Sequence, residues 1–292
     1  MTLNPLFWIS YGLFYLISLL PFSVLYFLSD RLYYLLYTVI GYRKQVVRDN
    51  LRRSFPTKNE QERLDIEKTY FRFLADNLIE SLKSLSMSKK SFQKRFHLKN
   101  PEIITQFTDK KQSVLLAMSH YANWEWSAPG LTLQIPVKTI LVYKPLSNKS
   151  AEMVINGIRA QYGALMVPMK QAIRTIIEHQ GETTITFMVS DQTPSARDNM
   201  HFVEFLNQPT AVFKGLEKIA KLTKSPIVYM HVVRIKRGYY QAEFSVLEAN
   251  PLATAEDEIT EKYNKKLENI IQANPAYWLW SHKRWKHQPK TS

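Results

Sequence analysis

The chain has 292 residues, enough for one large α/β domain, and its 45% hydrophobic and 13% aromatic content suits a packed core rather than a disordered or fibrous chain. It has no cysteine, which excludes a disulfide framework, a cysteine metal site and a thiol nucleophile and suits a reducing compartment. The formal net charge of +14 points to an anionic partner: nucleic acid, an anionic membrane surface, an acidic carrier protein or a phosphorylated substrate.

Residues Leu6 to Leu28 read LFWISYGLFYLISLLPFSVLYFL, 23 residues without one charged side chain. A helix of that length covers a hydrocarbon core of about 30 Å. A secretory signal is set aside, because no basic residue precedes the run and no small-residue cleavage pattern follows it. A buried core helix of this length would carry a polar face. The expectation is therefore an N-terminal membrane-anchoring helix within residues 1–30, with Pro21 kinking it or splitting it into two segments in one leaflet. Trp8, Tyr11, Tyr15 and Tyr26 supply rings suited to membrane interfaces. Arg31, Arg43, Lys44, Arg48, Arg52 and Arg53 follow, with Asp30 and Asp49 the only acids among them. For a spanning segment that bias places the remainder of the chain in the cytoplasm, beside an anionic leaflet.

Residues 31–292 read as a single catalytic domain, without an internal repeat, low-complexity stretch or linker. Thr57 and Glu60 form a T-x-x-E capping pattern. Phe71, Leu74, Leu78, Leu82 and Leu85 then recur at helical steps, predicting a long amphipathic helix. Beyond residue 100 the runs SVLLAM (113–118), TILV (139–142), TITFMV (184–189), IVYMHVV (227–233) and YQAEFSV (240–246) read as strands. Helical patterns lie near 148–160, 171–179, 212–223 and 255–272. The alternation predicts an α/β fold with a mostly parallel sheet covered by helices.

The stretch SVLLAMSHYANWEW carries the chemistry. His120 falls in the turn after an apolar strand, and Glu125 comes five residues later at the start of a helix. In a uniform helix residues five apart point about 140° from each other, but a strand–turn–helix path folds the carboxylate back toward the imidazole. A histidine whose ring N–H is held by a carboxylate is a general base with its tautomer fixed. The plain alternative is a structural histidine with a glutamate nearby by chance, and spacing alone leaves the two readings balanced. A metal site is not expected, since there is no cysteine and no second histidine at ligand spacing. The G-x-S-x-G elbow, the G-x-G-x-x-G loop and the Walker A loop are absent, and no cofactor is expected.

SHYANWEW resembles the H-x-x-x-x-[DE] motif of lysophospholipid-type acyltransferases, and its flanks resemble the bacterial lipid A late acyltransferase branch. YRKQVVRDNLRRSFP (42–56), VYKPLSN (142–148), VSDQTPS (189–195), FLNQPTAVFKG (205–215) and PAYWLWSHKRWK (275–286) resemble further blocks of that branch in the same order. Two positions depart from it. Lys144 stands where the family commonly has arginine, and Thr193 where many members place an acid.

The resemblance implies direct acyl transfer without an acyl-enzyme, His120 acting as base and Glu125 as its charge partner. The donor would be an acyl thioester, on acyl carrier protein or coenzyme A. The acceptor would be a hydroxyl of a lipid A precursor, at the inner (cytoplasmic) membrane, with the catalytic domain facing the cytoplasm. Lys144, Asn148 and Arg159 are candidates for binding phosphate or polarising the thioester carbonyl, each with a surface or capping role as the plain alternative. Asp191, just after a strand, joins the substrate-binding candidates or orients a basic residue. Arg197 is a weaker candidate. Trp278, Trp280 and Trp285 are expected in the core, and Arg284 and Lys286 keep an interfacial or phosphate role open.

The nearest rival within this chemistry is an acyltransferase acting on a lysophospholipid or an amino-acid lipid. From other classes stand a membrane-tethered nucleic-acid-binding protein and a catalytically silent scaffold. Scattered charge and the absence of RNP, zinc-finger or helix-turn-helix signatures argue against nucleic acid as a partner.

Overall fold

A computed structural model describes residues 5–195 and 200–289. The apolar N-terminal run is not one helix. It forms α1 (Pro5–Leu19) and α2 (Phe22–Tyr34), which continues through a π-helical turn at Leu35–Val39. The two arms bend by 120° at the break, and among the described residues no single helix is long and apolar enough to cross a membrane. The break follows from Pro21, which brings no N–H to the ladder and disfavours a helical residue before it. The carbonyls freed at the bend find donors at the end of a later helix and in the turn after it. Lys83 Nζ donates to Ser18 O at 2.7 Å and Leu20 O at 3.1 Å, and Ser86 Oγ donates to Ser18 O at 2.6 Å. One side of the bent pair exposes Ile9, Leu13, Leu16, Leu19 and Phe27.

After α3 (Lys44–Ser54) comes α4 (Glu60–Lys83), the long helix expected from the apolar spacing. Its capping box lies two residues beyond the Thr57–Glu60 pattern. Asn59 Oδ1 accepts from Glu62 N at 2.9 Å, and Glu62 Oε2 accepts from Asn59 N at 2.7 Å. Phe71 and Leu74 are buried as expected, but Leu78 is half exposed and Leu85 lies past the helix end. The buried face instead runs through Glu67, Tyr70, Phe73, Asp76 and Glu80. Burying an aromatic such as Phe71 contributes about 1.5–3 kcal/mol. Burying the acids costs energy unless each is paired. Asp76 receives Arg234 Nη2 at 2.7 Å, Arg237 Nη2 at 2.6 Å and Ser29 Oγ of α2 at 2.6 Å.

The chain then runs through α5 (Lys89–Arg95), β1 (Phe96–Leu98), α6 (Glu102–Thr108), β2 (Val114–Met118), α7 (Ser127–Gln134), β3 (Lys138–Tyr143), α8 (Lys149–Arg159) and β4 (Leu165–Pro168). It continues with α9 (Ala172–Glu178), β5 (Thr184–Val189), β6 (His201–Glu204), β7 (Pro209–Val212), α10 (Gly215–Thr223), β8 (Ile227–Lys236), β9 (Tyr239–Glu248) and α11 (Glu258–Ala273). The main sheet has seven strands in the order β1-β9-β8-β2-β5-β3-β4, with every neighbouring pair parallel except β8–β9. The α/β fold with a mostly parallel sheet is therefore as expected. Every residue of β2 is buried, so side chains on both faces of the sheet meet the core, which requires helices on both sides. On β9 the buried residues alternate, Tyr240, Ala242 and Phe244, as on a strand half-covered near an edge.

Strands β1, β4, β6 and β7 have no counterpart among the predicted elements. β6 and β7 pair antiparallel in a sheet of their own, closed through Leu206 and Asn207, both at positive φ. That is the backbone a two-residue hairpin loop requires.

Asp76 is the pin that holds α2 and the β8–β9 turn onto α4. Removing its carboxylate leaves Arg234, with a side chain only 13% exposed, without its counter-charge. Asp76→Ala is expected to lower unfolding free energy by about 3 kcal/mol, read by chemical denaturation of the purified protein. A change below about 1 kcal/mol would show that Arg234 and Arg237 find other partners.

Candidate active site

The parallel register of β2 and β5 places two polar residues side by side. Met118 pairs with Val189 at the carboxyl ends of these strands. Two residues further along each chain stand His120 and Asp191. The connection after β2 leads toward β3 on one side, and that after β5 leads to β8 on the other. In open α/β sheets such a divergence leaves a crevice at the carboxyl ends of the strands.

The His120 ring Nδ1 lies 2.6 Å from Asp191 Oδ1, and the His120 backbone N–H donates to Asp191 Oδ2 at 2.9 Å. The Trp278 indole N–H donates to the same Oδ2 at 2.9 Å. The Asp191 side chain is 2% exposed and that of His120 17%. Burial alone would raise the Asp191 carboxyl, but the imidazole and the indole N–H outweigh it and hold the group below its ordinary value. An ionised Asp191 accepts a hydrogen bond from Nδ1–H, which leaves the acceptor lone pair on Nε2. Nε2 lies 3.3 Å from Gln192 Nε2. The imidazole is thus held at Nδ1 by Asp191 and met at Nε2 by the Gln192 side-chain amide.

The expected His120–Glu125 hydrogen bond is not formed; the partner is Asp191. The turn after β2 explains why. Ala122 adopts φ 48°, held by its N–H donating to Tyr277 O at 3.0 Å, and Asn123 caps a 3₁₀ turn at Trp124–Trp126 through its Oδ1 and Trp126 N at 3.1 Å. This path carries the Glu125 carboxylate to Arg159, at the end of α8. Arg159 Nε and Nη2 donate to Glu125 Oε2 and Oε1 at 2.8 and 2.7 Å, and Trp124 Nε1 donates to Oε1 at 3.0 Å. Burial would raise the Glu125 carboxyl, but Arg159 outweighs it, with His120 and Trp124 adding, and the group is held low. The Trp124 ring stands edge-on to His120 with centroids 5.5 Å apart, so the ion pair adjoins the base without bonding it.

The remaining predicted residues fall elsewhere. Asn148 is exposed and caps α8, its Oδ1 accepting from Ala151 N at 3.1 Å. Lys144 is exposed in the loop after β3, without an ion pair among the described residues. Arg197 lies outside the described residues.

The tryptophan-rich segment closes the site from behind. Tyr121 and Trp278 form an antiparallel bridge, and Leu279 N–H donates to His120 O at 3.1 Å. Asn50 Nδ2 donates to Trp280 O at 2.8 Å, and Ser281 N–H to the Tyr70 hydroxyl at 3.1 Å. Trp278, Trp280 and Trp285 are buried as expected. Arg284 is buried as well, at 1% exposure, with Nη1 donating to Ala211 O at 2.6 Å. Burial lowers its guanidinium to about 10, partly offset by Asp191 and Tyr263. Thr193, one of the two departures, is buried and donates its hydroxyl to Arg284 O at 2.8 Å.

A model of the family described as bacterial lipid A biosynthesis acyltransferase matches residues 1–287. The chain is 26% identical to a lipid A biosynthesis acyltransferase of Haemophilus influenzae, over 95% of this chain and 87% of that protein. It is 23% identical to the lipid A biosynthesis lauroyltransferase of Escherichia coli, over 99% of this chain and 94% of that one. It is 22% identical to the palmitoleoyltransferase of the same organism, over 98% and 94%.

His282 carries a pH signature of this packing. Its Nε2 accepts the Thr193 backbone N–H at 3.2 Å, and burial pushes its imidazole down to about 4, Asp191 opposing and Arg284 reinforcing. Between about 4 and the ordinary 6.5 the unfolded chain binds a proton there that the native state refuses. Its contribution to stability therefore falls as pH drops through that window and is level above it. His282→Gln keeps an acceptor for Thr193 but cannot titrate. Urea unfolding across this window should give a shallower pH dependence for the variant than for the wild type; equal slopes would contradict the assignment.

Proposed function

The chain belongs to the bacterial lipid A biosynthesis acyltransferase family, and from that premise we propose that it transfers a fatty acyl group from an acyl thioester to a hydroxyl of a lipid A precursor, with His120 as general base. The observation that carries this reading is the 2.6 Å contact of His120 Nδ1 with buried Asp191, which leaves Nε2 as the accepting ring nitrogen, with the Gln192 amide 3.3 Å away as the group a substrate hydroxyl would displace. In the proposed step Nε2 takes the proton of the acceptor hydroxyl while that oxygen attacks the thioester carbonyl. The tetrahedral oxyanion then collapses, the C–S bond breaks, and the imidazolium returns its proton to the departing thiolate. Products are an ester and a free thiol, without a covalent enzyme intermediate.

Asp191 takes the orienting role first given to Glu125. It fixes the tautomer and stabilises the imidazolium that forms. Glu125 in this reading pins Arg159, a rigid cation beside the base suited to the developing oxyanion. Positioned base catalysis supplies about 10²–10⁴-fold, so charge stabilisation of this kind is needed as well. Lys144 is retained as a candidate for the anionic parts of donor or acceptor, Asn148 as the residue that starts α8 and so places Arg159 at its far end.

Membrane attachment is part of the same proposal. Its support is the bent apolar pair α1–α2, whose exposed face carries Ile9, Leu13, Leu16, Leu19 and Phe27. Such a pair suits a hairpin lying in one leaflet, here the cytoplasmic leaflet of the inner membrane. Acyl carrier protein is the proposed donor partner, an acidic protein meeting a chain of net charge +14, with acyl-CoA the other thioester of like charge.

His120→Ala is expected to lower turnover by about 10²–10⁴-fold while folding and membrane association persist. Mass spectrometry of lipid A and total lipids, comparing cells with the active protein, with none and with His120→Ala, tests both halves. Loss of one acyl chain from lipid A in the latter two supports acceptor and base together. An acyl mass shift in another lipid keeps the chemistry and replaces the acceptor, and near-wild-type turnover by purified His120→Ala would sink the mechanism.

A further inference from the structure

The proposed mechanism makes no use of the most enclosed carboxylate described near the site. Glu80 of α4 is 0% exposed. Its Oε2 accepts from the Tyr240 hydroxyl of β9 at 2.6 Å and from Asn123 Nδ2 at 2.8 Å, and its Oε1 from the Tyr26 hydroxyl of α2 at 3.0 Å. Its backbone carbonyl accepts the Trp126 indole N–H at 3.2 Å. Three parts of the molecule thus converge on one side chain: the apolar hairpin, the sheet, and the turn that carries His120 and Glu125.

Asn123 is the link to that turn. Its amide is used at both ends, Nδ2 outward to Glu80 and Oδ1 inward to Trp126 N at 3.1 Å. It follows Ala122, whose φ of 48° is a conformation a non-glycine residue adopts only when its surroundings impose it. Asn123 lies three residues after His120 and two before Glu125. The direction in which the chain leaves the base and reaches the Arg159 ion pair is therefore set where Asn123 is held. A buried carboxylate is a costly way to fill space, and an apolar side chain would stabilise the same site at least as well. Its three donors indicate placement rather than bulk stability.

We propose that Glu80 is a positioning residue for the His120 turn: through Asn123 it fixes the turn that aims the imidazole, and through Tyr26 it registers that turn against the apolar hairpin. The kinetic part of this inference rests on His120 being the base of acyl transfer.

The test reverses the hydrogen bond and then restores it. Asn123→Asp keeps the oxygen that accepts Trp126 N–H but removes the donor to Glu80, whose carboxyl burial raises to about 7; assayed above that value, the change sets a second carboxylate against it. It should lower kcat by about 10²-fold, with KM within about twofold, as expected when a base is displaced and binding is intact. Adding Glu80→Gln returns a donor across the same gap and should bring kcat back to within about tenfold of wild type. The downfield proton NMR resonance of the His120 Nδ1–H should broaden or shift in Asn123→Asp and recover in the double variant. That resonance needs no turnover. If wild type transferred no acyl group, the functional reading would fail while the tie is still decided. Should Asn123→Asp alone not fold, a folded, active double variant supports the tie and an unfolded or inactive one overturns it. A lowered unfolding midpoint with unchanged kcat and resonance would make Glu80 structural and overturn the proposal.

Discussion

A carboxylate carried into the interior must collect donors, and Asp191 collects three: the His120 ring, the His120 backbone N–H and the Trp278 indole. They come from two separate pieces of construction. The ring and backbone arrive because β2 and β5 are adjacent and parallel with Met118 opposite Val189. The indole arrives because the segment after α11 crosses behind the β2 turn and pairs with Tyr121. Loss of any one leaves a buried charge short of a partner, at a cost of about 1–3 kcal/mol. Strand order, turn conformation and the placement of the tryptophans all serve this one requirement.

Around that anchor the molecule sorts its charges into two pairs with different work. Asp191 faces the His120 ring directly. Glu125 is committed to Arg159 in a bidentate pair, a geometry that holds both planes rigid. Both carboxylates are held below their ordinary values against the pull of burial, so both stay ionised near neutral pH. The acids on α4 do a third kind of work. Asp76 and Glu80, one turn apart, bind the bent apolar helices to the sheet and the His120 turn.

What the chain reveals before folding follows from how local each determinant is. Strands β2 and β5 are legible because a strand buried on both faces is a continuous apolar run. His120 is legible as the first ring-bearing polar residue after such a run. The pairing with Asp191 spans 71 residues and depends on which strands become neighbours, which periodicity does not encode. A sequence-local reading therefore favoured Glu125. A signal did exist, since Asp191 and His120 each stand two residues past the end of a buried strand. Glu80 offered none, because a glutamate inside an amphipathic helical pattern reads as a solvated face. The four missed strands are only three or four residues long, too short for a period of two to show. Pro21 was legible as a break, but the carbonyls it frees are met by Lys83 at the end of α4 and Ser86 in the turn after it, which local sequence does not show.

The indole on Asp191 also gives the site a place in time. Trp278 leaves the ribosome 87 residues after Asp191, and at about 5–20 residues per second that is an interval on the order of 10 s. Through that interval β2, β5 and His120 exist, but the Asp191 carboxylate lacks one of its three donors and the His120 turn lacks the backbone of Tyr277 and Leu279. A nascent chain therefore holds its chemistry open until translation has passed the tryptophan block. The His120 site is complete only after that last strap is drawn across.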